Sequence, residues 1–155
     1  MIYVFDTNSL SEFNAYYPDI FKTLWIQLDA LVAAGEVFST REVRAELENS
    51  GLEHVLKWAK SSGGFFRTPT ALETQFVGQI FAVPHFQSLI GIKAQQRGTP
   101  VADPFVIASA KINQGTVVTQ EKLKPNAAKI PNVCAHFNIA CIDLERFMRH
   151  QGWSF

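Results

Sequence analysis

Several things this sequence lacks narrow its reading before anything it contains. Cysteine is nearly absent: Cys134 and Cys141 are the only two in 155 residues. Two cysteines cannot form a disulfide framework, and their isolation does not match the paired spacing of a zinc site. They read as reduced core thiols of a cytoplasmic protein. Excess charge is lacking too, since 14 basic and 14 acidic side chains cancel. No global field therefore draws in nucleic acid, and any polyanion site has to be a local patch. No apolar run approaches the ~20 residues that span a bilayer, and the N-terminus lacks the pattern of a signal peptide. The first polar turn, Asp6-Thr7-Asn8-Ser9, holds no glycine. That excludes the glycine-rich phosphate loops of dinucleotide-binding and Walker-type proteins.

What is present is an ordinary globular composition, 47% hydrophobic and 18% charged, with 13 Phe and 3 Trp for the core. The length suits one domain over 1–155. The pattern alternates. Ile2–Phe5 is a continuous apolar run of the kind found in strands covered on both faces. Ile20, Phe21, Leu24, Trp25, Leu28, Leu31 and Val32 recur at helical spacing up to Gly35. Val37–Phe38 reads as a second strand. Ser39 and Glu42 then form a capping box that starts a helix at Thr40. Leu52 to Ala59 marks another helix, and Pro69 and Pro84 open two more. Asp103 before Pro104 reads as an N-cap and first helical residue, and Gly115 ends that helix. Thr116–Thr119 is a strand, 131–137 a short helix, Ile139–Ile142 a strand, and Asp143 caps a terminal helix. Short apolar strands separated by helices predict an α/β protein with a mainly parallel sheet, helices on both faces, and ligands outside the carboxyl ends of the strands.

Asp6 lies at such an end. Glu46 sits two turns into the helix after the second strand, Asp103 opens the helix before the third, and Glu121 follows that strand. Four carboxylates gathered at one end of a sheet repel one another and favour a cation. Oxygen-only ligands favour Mg²⁺ or Mn²⁺, which can activate water against a phosphodiester. Each acid also has a plainer use: Asp6 and Asp103 as caps, Glu121 as a solvated loop residue, and Glu42 as a competitor of Glu46. A phosphatase with an aspartyl nucleophile would need a second acid two residues beyond Asp6, where this chain has Asn8.

The blocks FDTNSL (5–10), STREVRAEL (39–47), ADPFVIASA (102–110) and VVTQEK (117–122) resemble, in order and spacing, those of PIN-domain proteins, VapC-like ribonuclease toxins among them. The tail, with its Lys-Ile-Pro-Asn segment at 129–132, resembles a less characterised PIN-like bacterial branch. The resemblance implies a three-layer fold with a parallel sheet of about five strands. It also implies metal-dependent cleavage of single-stranded RNA, a toxin role restrained by a small antitoxin, and a homodimer. By position Asp6, Glu46, Asp103 and Glu121 map onto the acidic quartet, the first three as ligands of Mg²⁺ or Mn²⁺. Asn8, Thr119 and Ser39 map onto polar positions that support it, Asn8 by holding Asp6. The last acidic position is Glu121 where the family usually carries Asp. Arg41, Arg44, Lys93, Arg97, Lys122, Lys124 and Lys129 are candidates for RNA contact, led by Lys129 and Arg41. The alternative is a PIN-like RNA-binding or protein-docking module without activity.

Overall fold

A computed structural model of the chain describes residues 1–89 and 101–155. Five parallel strands form one sheet: β1 (Tyr3–Phe5), β2 (Val37–Thr40), β3 (Phe66–Arg67), β4 (Thr116–Val118) and β5 (Ala140–Ile142), in the spatial order β3-β2-β1-β4-β5. The first strand in sequence is therefore the central one. It pairs Tyr3 with both Val37 and Thr116. Helices α1 (Thr7–Glu12), α2 (Lys22–Ala33), α3 (Arg41–Glu48), α4 (Glu53–Ser61), α5 (Ala71–Phe81), α6 (Ala102–Ile112), α7 (Ile130–His136) and α8 (Leu144–His150) connect the strands. This is the α/β architecture that the alternating pattern predicts. Because every strand is parallel, all carboxyl ends open on one side, and the loops that follow β1 and β4 lie next to each other there.

The core is aromatic. Phe5, Phe13, Phe38, Phe65 and Phe147 are fully buried, and Phe147 of α8 meets Phe5 edge-to-face at 4.9 Å. Such offset geometry is favoured by the ring quadrupoles. The tail folds onto the same cluster. Gly152 takes a positive φ of 65°, and the amide of Trp153 reaches back to the Met148 carbonyl at 3.1 Å. This end to α8 turns Trp153 onto Phe147, with ring centroids 5.5 Å apart. Phe155 stays exposed.

Several local expectations shift, each for a physical reason. The capping box at Ser39 does not form. β2 runs two residues further, to Thr40, so Thr40 is the N-cap and its hydroxyl accepts from the Val43 amide at 3.4 Å. Ser39 instead donates to the Phe5 carbonyl at 2.6 Å, tying β2 to β1. Glu42 pairs with Arg41 at 3.0 Å, and its Oε2 is buried with no partner among the described residues. α5 starts at Ala71, capped by Thr70, with Pro69 just outside it. Pro84 opens a 3-10 turn, Pro84–Leu89, rather than an α-helix. β3 is a two-residue strand with no apolar run to announce it; its pairing with Ser39 and Thr40 makes it visible.

Gly115 does not occupy the left-handed position that ends α6. Gln114 does, with φ 53°, while the Gly115 amide closes the turn on the Ala110 carbonyl at 2.8 Å. The glycine is there for space. A Cβ on it would stand 2.9 Å from Ile2 Cγ2 and 3.0 Å from the Ile2 carbonyl oxygen. Gly115→Ala is expected to lower the unfolding free energy by about 1–3 kcal/mol through overpacking, read as a lower urea midpoint at unchanged m-value.

Candidate active site at the carboxyl ends of β1 and β4

Asp6 continues β1 by one residue. Its amide donates to the Val118 carbonyl at 3.1 Å, and its side chain turns inward, 1% exposed. Oδ1 accepts from the Ser9 amide at 2.8 Å and the Ser9 hydroxyl at 2.7 Å, so Asp6 does cap α1. Oδ2 accepts from the Thr119 hydroxyl. Thr119 in turn accepts from the Glu121 amide at 3.1 Å. Burial raises the Asp6 pKa above its ordinary value, the bonds from Thr119 and Ser9 oppose this, and the Glu121 charge adds to the rise. Asn8 does not hold Asp6, contrary to the family pattern. It is exposed, and Ser9 and Thr119 supply the hydrogen bonds. Position 9, directly below the carboxylate on the first turn of a helix, is where a short hydroxyl can reach back to a cap, and that spacing was the signal available in the sequence.

Glu46 comes from the end of α3. Oε2 accepts from the Thr7 hydroxyl, and Oε1 accepts from the Ala102 amide at 3.0 Å. The first amide of α6 is thus satisfied by a carboxylate from another helix. This changes the role of Asp103. The N-cap of α6 is Val101, with no capping side chain, and the helix begins at Ala102. Asp103 lies inside the first turn and makes no side-chain hydrogen bond or ion pair among the described residues. The cap reading of Asp103 therefore does not hold, because Glu46 already occupies that position. Its pKa is pushed up to about 8, first by burial, then by the charges of Glu121, Glu46 and Asp6, with Lys129 opposing. The ordinary value is near 3.9. That ranking places Asp103 within electrostatic reach of all three other acids.

Glu121 is spoken for as well. Its Oε2 accepts from the Ile130 amide at 2.9 Å, which caps α7 across the 121–129 loop. Lys129 sits at the N-cap of α7, half-buried and close enough to lower the Asp103 pKa. Arg41 is on the surface, paired with Glu42, and Arg44 pairs with Glu48 at 3.1 Å. Lys93 and Arg97 lie outside the described residues. Ser39 serves the β1–β2 junction through its bond to Phe5.

The donors suit a hard cation, all of them carboxylate oxygens. Among the described residues, however, no three Asp, Glu, His or Cys side chains converge closely enough to ligate one ion as they stand. Asp6 and Glu46 point both oxygens at hydroxyls and amides, and Glu121 commits Oε2 to the Ile130 amide. Of the four acids, Asp103 alone has both oxygens uncommitted among the described residues.

The profile of a family described as "Domain of unknown function (DUF4411)" matches residues 3–155. The chain belongs to this family. No curated protein matches it. Among solved structures, VapBC2 from Rickettsia felis, crystallised bound to a DNA fragment from its promoter, is similar over 92% of this chain and 98% of that chain. The TM-score is 0.51 at 17% identity. That likeness, with the five-stranded parallel sheet and its flanking helices, makes the fold PIN-like. Among the described residues no helix is long and apolar enough to cross a membrane.

Proposed function

We propose that this protein is a PIN-like endoribonuclease that uses Mg²⁺ or Mn²⁺ to cleave single-stranded RNA, and that it acts in the cytoplasm as a toxin restrained by a small antitoxin. The observation that carries the reading is Asp103: an uncommitted carboxylate surrounded by Glu121, Glu46 and Asp6, whose surroundings hold it protonated unless a cation takes the proton's place. Asp103, Asp6 and Glu46 would hold the ion, the latter two by exchanging their present hydrogen bonds for it. Bound there, Mg²⁺ or Mn²⁺ would lower the pKa of a water and offset charge on a phosphodiester. The chain's own contribution is positioning. Thr119 and Ser9 hold Asp6, Thr7 and the Ala102 amide hold Glu46, and Lys129 offsets negative charge beside the Asp103 carboxyl. The toxin role is supported by the resemblance of the four sequence blocks and by the VapBC2 likeness, and it carries the homodimer with it.

The commitment of three carboxylates to hydrogen bonds favours one other reading, a docking module without activity. Calorimetry with Mn²⁺ at pH 7.5 separates the two. Saturable binding by the wild type, lost in Asp103→Asn, is expected. Absence of heat at millimolar Mn²⁺ would leave the acids as structural groups and favour the docking module.

A further inference from the structure

We infer that Cys134 and Cys141 form a reversible redox pair: an oxidant of the peroxide class converts their thiols into a disulfide that joins α7 to the edge strand β5. The inference is independent of the nuclease reading, since neither sulfur belongs to the acidic quartet. The pairing follows from how the chain turns. Cys134 lies in the last turn of α7. Asn138 takes a positive φ of 59°, and the Ile139 amide closes the turn on the Cys134 carbonyl at 2.8 Å. The chain therefore reverses directly after α7, and β5 runs back beneath it, the two elements packed on each other. Cys141, the middle residue of β5, comes to lie against Cys134, close enough for the two thiols to share a hydrogen bond. Both are free thiols. Disulfides of reducing compartments are usually transient and redox-sensing, and a pair of free thiols in contact is the resting state of such a device.

The two sulfurs differ in access. Cys134 is fully buried. Cys141 is half-buried, on a strand that pairs only with β4, and it lines an open groove of about 970 Å³ beside Leu123 and Arg146. The hydrogen bond with Cys141, then burial, pushes the Cys134 thiol above its ordinary pKa, which keeps it protonated. Cys141 is thus the sulfur that a small oxidant meets. Its thiolate attacks one oxygen of hydrogen peroxide and the O–O bond breaks. The departing hydroxide takes up the proton that Cys141 gave up and leaves as water, and Cys141 becomes a sulfenic acid. The Cys134 sulfur then attacks the Cys141 sulfur. The S–O bond breaks, and the second hydroxide leaves as water with the Cys134 proton. Two thiols and one peroxide give one disulfide and two waters, and two electrons pass from the sulfurs to the peroxide. With its partner already in place, this second step is intramolecular, which favours it over further oxidation of the sulfenic acid. Zinc is the other ligand that a cysteine pair suggests. A structural zinc takes four ligands, and among the described residues no third His, Cys, Asp or Glu joins these two.

The test is peptide mass spectrometry of the folded wild type after exposure to a small excess of hydrogen peroxide, with the remaining thiols alkylated in denaturant before digestion. Trypsin leaves both cysteines on one peptide, residues 130–146. That peptide is expected to lose the mass of two hydrogen atoms and to take up no alkylating group. Dithiothreitol before alkylation should restore both sites. The oxidised chain should stay free of cross-links to a second chain. It should also melt about 5 °C higher than the reduced chain, the scale for closing a short loop in a protein of this size. In Cys134→Ala the sulfenic acid of Cys141 has no resolving partner and should be trapped by dimedone. In Cys141→Ala the buried thiol should stay unmodified. Two alkylated thiols in the peroxide-treated wild type overturn the inference. So does oxygen added to Cys141 with Cys134 still free, and so does a disulfide between two chains. A lower melting temperature after oxidation overturns it too, because the bond would then form only by distorting the fold. The wild-type peptide alone decides the matter if either variant fails to fold.

Discussion

Asp103→Asn is expected to make the metal-free protein more stable at pH 8 and to leave it nearly unchanged at pH 4. The sign follows from linkage. The folded pKa of Asp103 is about 8, against about 3.9 in an unfolded chain. Below pH 4 both states are protonated and the group contributes nothing to the pH dependence. Between pH 4 and 8 the unfolded chain has lost this proton and the folded one keeps it. The folded state then binds more protons, and stability falls as pH rises. Above pH 8 both are ionised and the loss levels off. Each unit of separation is worth about 1.4 kcal/mol, which gives a ceiling of about 6 kcal/mol for a perfectly sealed carboxyl. Asp103 keeps partial solvent contact, so about 2–3 kcal/mol is the expected gain for the variant at pH 8. Asn cannot ionise and has the shape of the protonated acid. Urea unfolding in EDTA at pH 4.5, 6 and 8 reads the effect as two curves that diverge with pH. Mn²⁺ at about 1,000 times its Kd should reverse the ranking, since it adds about 4.1 kcal/mol to the wild type and nothing to the variant. Parallel pH curves would mean that neither burial nor the neighbouring acids raise the Asp103 pKa.

What the sequence shows of this molecule, and what it hides, divides along one physical line. Strands covered on both faces and helices with repeating apolar faces advertise themselves, because burial dictates their composition. β1, β2, β4, α2, α4, α6 and the terminal helix are readable for that reason. Hydrogen bonds between distant segments are not. Nothing near Ala102 says that its amide is capped by Glu46, 56 positions earlier. Without that bond, Asp103-Pro104 looks like an ordinary helix start. The same holds for Glu121, whose partner Ile130 lies across a loop, and for Ser39, drawn away from its own helix by the Phe5 carbonyl. Local signals such as capping boxes compete with tertiary partners, and a buried carbonyl in need of a donor outweighs a solvent-exposed cap. That Asp6, Glu46 and Glu121 lie within electrostatic reach of Asp103 was legible, through strand ends that the parallel topology brings together. Which member was uncommitted was not legible, because that depends on where the other three found their partners.

Asp6 poses the remaining question most sharply, because it is demonstrably a cap and is also proposed as a ligand. Asp6→Asn separates the two roles. Asn and Asp are about equally good N-caps, and the Asn carbonyl oxygen can take over Oδ1's bonds from the Ser9 amide and hydroxyl. The amide group then faces the Thr119 hydroxyl, which has a lone pair to accept it. The fold should survive with a stability change within about 1 kcal/mol, and the buried negative charge is gone. RNA cleavage with Mn²⁺ should fall by about 10²–10³, the scale for removing one preorganised electrostatic group from a reacting centre. Thr119→Val is the complement. It keeps the charge and strips away its holder, leaving Asp6 Oδ2 and the Glu121 amide without their partner in a buried place. That should cost about 1–3 kcal/mol of stability, while Thr119→Ser restores most of it. The two substitutions thus move stability and cleavage in different proportions. A cap alone predicts that Asp6→Asn leaves both untouched. A metal-holding carboxylate predicts that cleavage collapses while the urea midpoint barely moves.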